Sequence, residues 1–150
     1  MKPLIVLLVV FVIAIAVLKM TTGNIDYYVA GRIAMCVMLL FTATAHFTFS
    51  KGMAMMIPGF VPYKFQIVYL TGIMEILAAI ALLFHRFSWL AGWLLIAFFI
   101  LLVPANIYAA VKRVDFQKAN FEGAGLKYLW FRIPLQIFFI TWAYVSCILK

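Results

Sequence analysis

Residues 66–84, QIVYLTGIMEILAAIALLF, decide how this chain folds. The run is apolar over close to the roughly 20 residues that a helix needs to cross a hydrocarbon core. Near its middle stands Glu75, the only acidic residue inside any apolar run of the chain. A carboxylate at that depth costs roughly 3 kcal/mol unless it is paired, protonated or wetted, which makes Glu75 a functional candidate by default.

Outward from this run, four more apolar stretches appear, at 4–18, 29–49, 89–110 and 129–149. Of the 150 residues, 69% are hydrophobic and 11% charged. A soluble domain is about half apolar and about a quarter charged. The chain therefore reads as an all-α polytopic membrane protein. We expect a membrane four-helix bundle over 23–150, preceded by one extra transmembrane helix within 1–22. The 4–18 stretch lies between Lys2 and Lys19, and its Ala14-Ile15-Ala16 resembles a signal-peptide cleavage site. Bulky residues and Lys19 follow it directly, so it is expected to stay as an N-terminal anchor.

The net charge of +8 does not point to nucleic acid, because the Lys and Arg residues are scattered over helix ends rather than gathered on a basic helix. With five spans, Lys2, Lys51, Lys64, Lys112, Arg113, Lys118, Lys127 and Arg132 share one side. Lys19, Arg32, Arg86 and Lys150 share the other. The excess favours a cytoplasmic N-terminus and contact of the basic side with anionic membrane lipid. Cys36 and Cys147 stand alone, so thiol redox chemistry is not expected, and no cluster offers a metal site. His46 and His85 fall at opposite membrane faces, which argues against bis-histidine haem.

Two connections look structured. Segment 50–65 carries Met53, Met55, Met56, Pro58, Gly59 and Pro62, too polar and too broken by proline to span, and is expected to lie at the interface as a lid. Segment 111–127 is the longest polar stretch and the expected mobile loop.

Placed by depth, the polar residues converge on the face that these two loops share. His46 ends the second span, Asn106 nears the end of the fourth, and Arg132 and Gln136 start the fifth on one helix face. Glu75 lies about 13 Å into its span, and Thr71 is one turn before it on the same side. An Arg132–Glu75 ion pair is within side-chain reach. Pro104 and Pro134 each free a backbone carbonyl near this end, for which Asn106 and Gln136 are candidate donors. One reading makes this an interhelical register lock. The other makes it a polar pocket under a lid, for a headgroup, a quinone or another amphipathic ligand. Five polar residues from four helices are more than a register lock needs.

These same residues carry a family resemblance. His46-Phe47, the Met-x-x-Pro-x-Phe-x-Pro-Tyr loop at 55–63, Tyr69-Leu-Thr-Gly-Ile-Met-Glu75, Pro104-Ala-Asn106-Ile-Tyr108 and Arg132-Ile-Pro134-Leu-Gln136 occur in order over residues 30–148. Together they resemble the DoxX-like family of small prokaryotic membrane proteins. The resemblance implies a four-helix bundle in a prokaryotic inner membrane, a link to quinone-dependent redox complexes, and recurrent positions at His46, Pro58, Glu75, Asn106, Arg132 and Gln136. The expected function is binding of a quinone or lipid-like molecule at a buried Glu75/Arg132 site near the cytoplasmic face, with a place as a subunit of a membrane redox complex implied by the resemblance. Glu75 would act as buried acid or proton acceptor, with Thr71, His46, Asn106 and Gln136 beside it. The alternative is a non-enzymatic accessory or assembly factor that packs on partner membrane proteins.

Overall fold

A computed structural model describes residues 2–149 as an all-helical chain. Its helices are α1 (Lys2–Thr22), α2 (Tyr27–Thr48), α3 (Ser50–Met55), α4 (Lys64–Leu83), α5 (His85–Val111) and α6 (Leu126–Cys147). Four of them, α1, α2, α4 and α5, are long and apolar enough to cross a membrane. The 129–149 stretch expected as a fifth span is α6, which is less apolar because Lys127, Arg132 and Gln136 interrupt it.

Local signals set the breaks. Gly23 takes a left-handed conformation after α1 (φ 72°). Asp26 then caps α2, its carboxylate accepting from the Tyr28 and Val29 amides at 3.0 and 2.9 Å. Pro58 and Pro62 cannot continue α3, and the chain turns until Lys64. A single extended residue, Phe84, separates α4 from α5.

α2 is the hub, packing on α1, α3, α4 and α6, while α5 packs on α4 and α6. Met35, Met38 and Leu39 of α2 are fully buried with Leu82 of α4 and Leu95 of α5. α1 joins this packing: Leu7 is buried, and the Phe11 ring meets Trp142 of α6 edge-on at 4.9 Å.

α4 buries Val68, Gly72, Glu75, Ala79 and Leu82, spaced by four and three residues along one stripe. Glu75 thus occupies a core position in a helix whose other faces are apolar. Small residues let backbones approach within membranes, where dispersion rather than water expulsion holds helices together. At Gly72 the approach is close, since a Cβ there would sit 2.8 Å from His46 Cβ and 3.3 Å from the Phe47 ring. His46 is therefore level with Gly72, and Glu75 lies about one turn further on.

Segment 111–127, expected as a mobile loop, is folded. Asp115 accepts from the Gln117 and Lys118 amides, and Asp115 and Asn120 form an isolated antiparallel bridge. Phe116 packs edge-on against Phe49, and a Cβ on Gly52 of α3 would strike the Phe116 carbonyl. This packing fastens the 50–65 segment to the 111–127 segment.

Candidate functional site

The centre of the site is a pair contributed by α2 and α4. His46 Nε2 lies 3.3 Å from Glu75 Oε1, with both side chains largely buried. The second carboxylate oxygen, Oε2, accepts from the Thr42 hydroxyl at 2.9 Å. Thr42 and His46 stand four residues apart on α2, so one helix face supplies both partners. On the far side of the imidazole, Nδ1 is 3.2 Å from the Val68 carbonyl and 3.1 Å from Thr71 Oγ1. Thr71 also donates to Val68 O at 2.8 Å.

These partners constrain the protons. Val68 O can only accept, so its contact with Nδ1 is a hydrogen bond when Nδ1 carries hydrogen. That tautomer lets Thr71 donate to Val68 O as well. It leaves Nε2 facing Glu75 Oε1, and two acceptors do not approach each other stably. With that tautomer one proton lies between Nε2 and Oε1, giving imidazolium with carboxylate or imidazole with carboxylic acid, whereas with hydrogen on Nε2 alone the ring donates to the carboxylate and Nδ1 accepts from Thr71. The two forms with hydrogen on Nδ1 are neutral overall, which lowers the cost of an acid in an apolar helix bundle. Such a pair can hold a proton, release one, or offer either a donor or an acceptor to a bound molecule.

Glu75 also has an outward side. It lines a groove of about 280 Å³ between α4 and α5, whose other walls include Met74, Leu77, Ala78, Leu90, Ala91, Leu94 and Phe98. Every other lining residue is apolar. Met74, Leu77, Leu90 and Leu94 are exposed, so the groove opens on the outer face of the helices.

The other expected site residues lie elsewhere. Asn106 of α5 donates to Gln136 Oε1 on α6 at 3.2 Å, both buried. Gln136 in turn donates to the Phe99 carbonyl, one residue before the carbonyl that Pro104 frees. This bridge ties α5 to α6, and among the described residues no hydrogen bond joins it to Glu75. The Arg132–Glu75 pair does not form. Arg132 is half-buried on α6, its guanidinium carbon 5.5 Å from the centre of the Tyr128 ring. The reason is helix order: α4 packs on α2, α3 and α5, whereas α6 packs on α5 and α2. Arg132 faces a second cavity instead, on the loop side.

Two polar contacts were not anticipated. Thr42 lies in an apolar run, and only its spacing from His46 could have marked it. Arg32, counted with the helix ends, is 5% exposed and donates to Ser88 Oγ at 3.0 Å across the opposite end of the bundle. Among the described residues no three His, Cys, Asp or Glu side chains come together as metal ligands.

No curated protein and no solved structure matches this chain. The expected DoxX-like membership is overturned by a match to a different family. The motifs behind it were single polar residues and prolines within apolar helices, which helix packing in any membrane favours. A place in a redox complex and a prokaryotic origin rested on that resemblance and lose their footing with it. Residues 35–147, most of the chain, match the family described as "Domain of unknown function (DUF8561)", and the chain belongs to that family.

Proposed function

We propose that this protein spans a membrane and binds an amphipathic, membrane-dissolved molecule at Glu75, of the quinone or lipid-like class. The apolar body lies in the groove between α4 and α5. The polar head reaches the Glu75–His46 pair, accepting a hydrogen bond from the protonated form or donating to the carboxylate. In this reading α6 is a fifth span, its 22 residues being about 33 Å long. The N-terminus and the two long loops are then cytoplasmic, following the excess of Lys and Arg there.

The observation that supports the reading is the position of Glu75, bonded to α2 on one side and bordering an apolar groove on the other. Glu75 is backed by His46 and Thr42, yet it is the one ionisable residue lining an otherwise apolar groove. Ligand pockets are typically apolar with a few placed polar groups, at roughly 300 Å³ and above. The groove is near that lower bound, so a long tail would remain in the lipid.

The test is purification in mild detergent with mass spectrometry of co-purifying small molecules. Wild type should retain one amphipathic species. Glu75→Gln should lose it through the head, and Ala78→Phe should lose it by filling the groove. Retention by both folded variants would sink the proposal.

A further inference from the structure

The loop-side cavity is separate from the Glu75 groove. It has a volume of about 820 Å³ and is bounded by the start of α1, the last turns of α2, the end of α5, the 111–127 segment and the first turns of α6. Phe41, Phe131 and Leu135 give it an apolar side. Its charged lining residues are Lys2, Asp115 and Arg132.

The balance of these charges is uneven. Asp115 is engaged by its own turn, accepting from the Gln117 and Lys118 amides at 2.9 and 3.2 Å. Arg132 is held over the Tyr128 ring, and among the described residues no carboxylate forms an ion pair with it. A guanidinium has a planar fork of donors suited to carboxylate or phosphate oxygens. Of the basic residues, Lys2 and Arg132 line the cavity, and the 111–127 segment that bounds it carries Lys112, Arg113, Lys118 and Lys127 against Asp115 and Glu122. Basic pockets at the ends of membrane helices are known settings for anionic headgroups.

We propose that this cavity is a second binding site, for an anionic amphiphile. Arg132 takes its phosphate or carboxylate head, and Phe41, Phe131 and Leu135 receive its apolar part. The volume is within the range of pockets that enclose molecules of several hundred daltons. The inference does not depend on the Glu75 reading: the two cavities share no lining residue, Arg132 and Glu75 do not touch, and the link between them is Thr42, which lines the loop-side cavity and donates to Glu75.

The test uses full-length protein in nonionic detergent and native mass spectrometry, with phosphatidylglycerol and phosphatidylcholine of identical chains as probes. Wild type should prefer phosphatidylglycerol. Arg132→Gln should weaken that binding by roughly tenfold to a hundredfold, as expected for loss of a hydrogen-bonded charge. Arg132→Lys should keep part of it. Lys118→Gln removes the same charge from the exposed loop and should change nothing. Equal binding of the two lipids by wild type, or equal losses in Arg132→Gln and Lys118→Gln, would overturn the proposal. Should Arg132→Gln fail to fold, the wild-type lipid preference and the Arg132→Lys variant decide in its place. Inorganic phosphate should compete only far above lipid concentrations. Competition at equal concentration would overturn the assignment of an apolar body and identify a free anion as the ligand.

Discussion

His46 Nε2 and Glu75 Oε1 lie 3.3 Å apart and join the end of α2 to the middle of α4. Each side chain is a hydrogen-bonding partner of the other in a largely buried setting. Removing one member strands the other, at a cost of about 3 kcal/mol or more, whereas replacing both with apolar residues of similar size is often neutral. We predict that His46→Leu destabilises strongly and that His46→Leu with Glu75→Leu recovers most of the loss. Denaturant titration in micelles would show it. A double variant as unstable as the sum of the two single ones would mean that the residues are not coupled.

Gly72 sets the spacing that makes this pair possible. A methyl group there would press on His46 Cβ at 2.8 Å, with the Phe47 ring also in the way. Neither atom is the free end of a flexible chain, so α2 and α4 must part. Overpacking of this kind costs about 1–3 kcal/mol. Gly72→Ala should therefore lower thermal stability and also release whatever ligand Glu75 holds. An unchanged melting temperature would show that the helices adjust without strain.

Helices long and apolar enough to cross a membrane were legible as hydrophobic runs near 20 residues, and Glu75 stood out because acids are rare within such runs. His46 was placed correctly at the loop-side end by counting along alternating spans. Such counting gives depth but not helix order around the bundle. Arg132 is within reach of Glu75 by depth, yet α6 packs on α5 and α2, and the guanidinium faces the loop-side cavity. Asn106 and Gln136 were grouped with Glu75 for the same reason and instead bond to each other. Thr42 was invisible, since a lone threonine in a membrane helix carries no signal until its partner is known. The burial of Arg32 was hidden because a basic residue near a helix end ordinarily reaches water.

The Asn106–Gln136 bridge should behave as structure. Interhelical hydrogen bonds in membranes contribute only about 0.6 kcal/mol on average. Leaving a buried amide without its partner costs more, about 1–3 kcal/mol. Gln136→Leu should thus destabilise more than Gln136→Leu combined with Asn106→Leu, and ligand retention at Glu75 should follow stability alone. A selective loss of ligand in a Gln136→Leu variant of normal stability would place this bridge in the binding site.

Arg32 offers the sharpest separation of structural from functional charge. It is buried in α2 and donates to Ser88 Oγ, which itself donates to the His85 carbonyl at 2.9 Å. A cation withdrawn from water and held by a neutral hydroxyl is costly, because the Coulombic return of an ion pair is missing from that contact. Ser88→Ala should therefore destabilise by about 1–3 kcal/mol, since it removes an acceptor from a buried donor. Arg32→Met, which keeps the bulk and removes the charge, should be neutral or stabilising if packing is its only role. Melting curves of the two variants in the same detergent test this directly. A strongly destabilised Arg32→Met would show that the guanidinium makes a favourable charge contact, and that this end of the bundle, opposite the long loops, has a polar centre of its own.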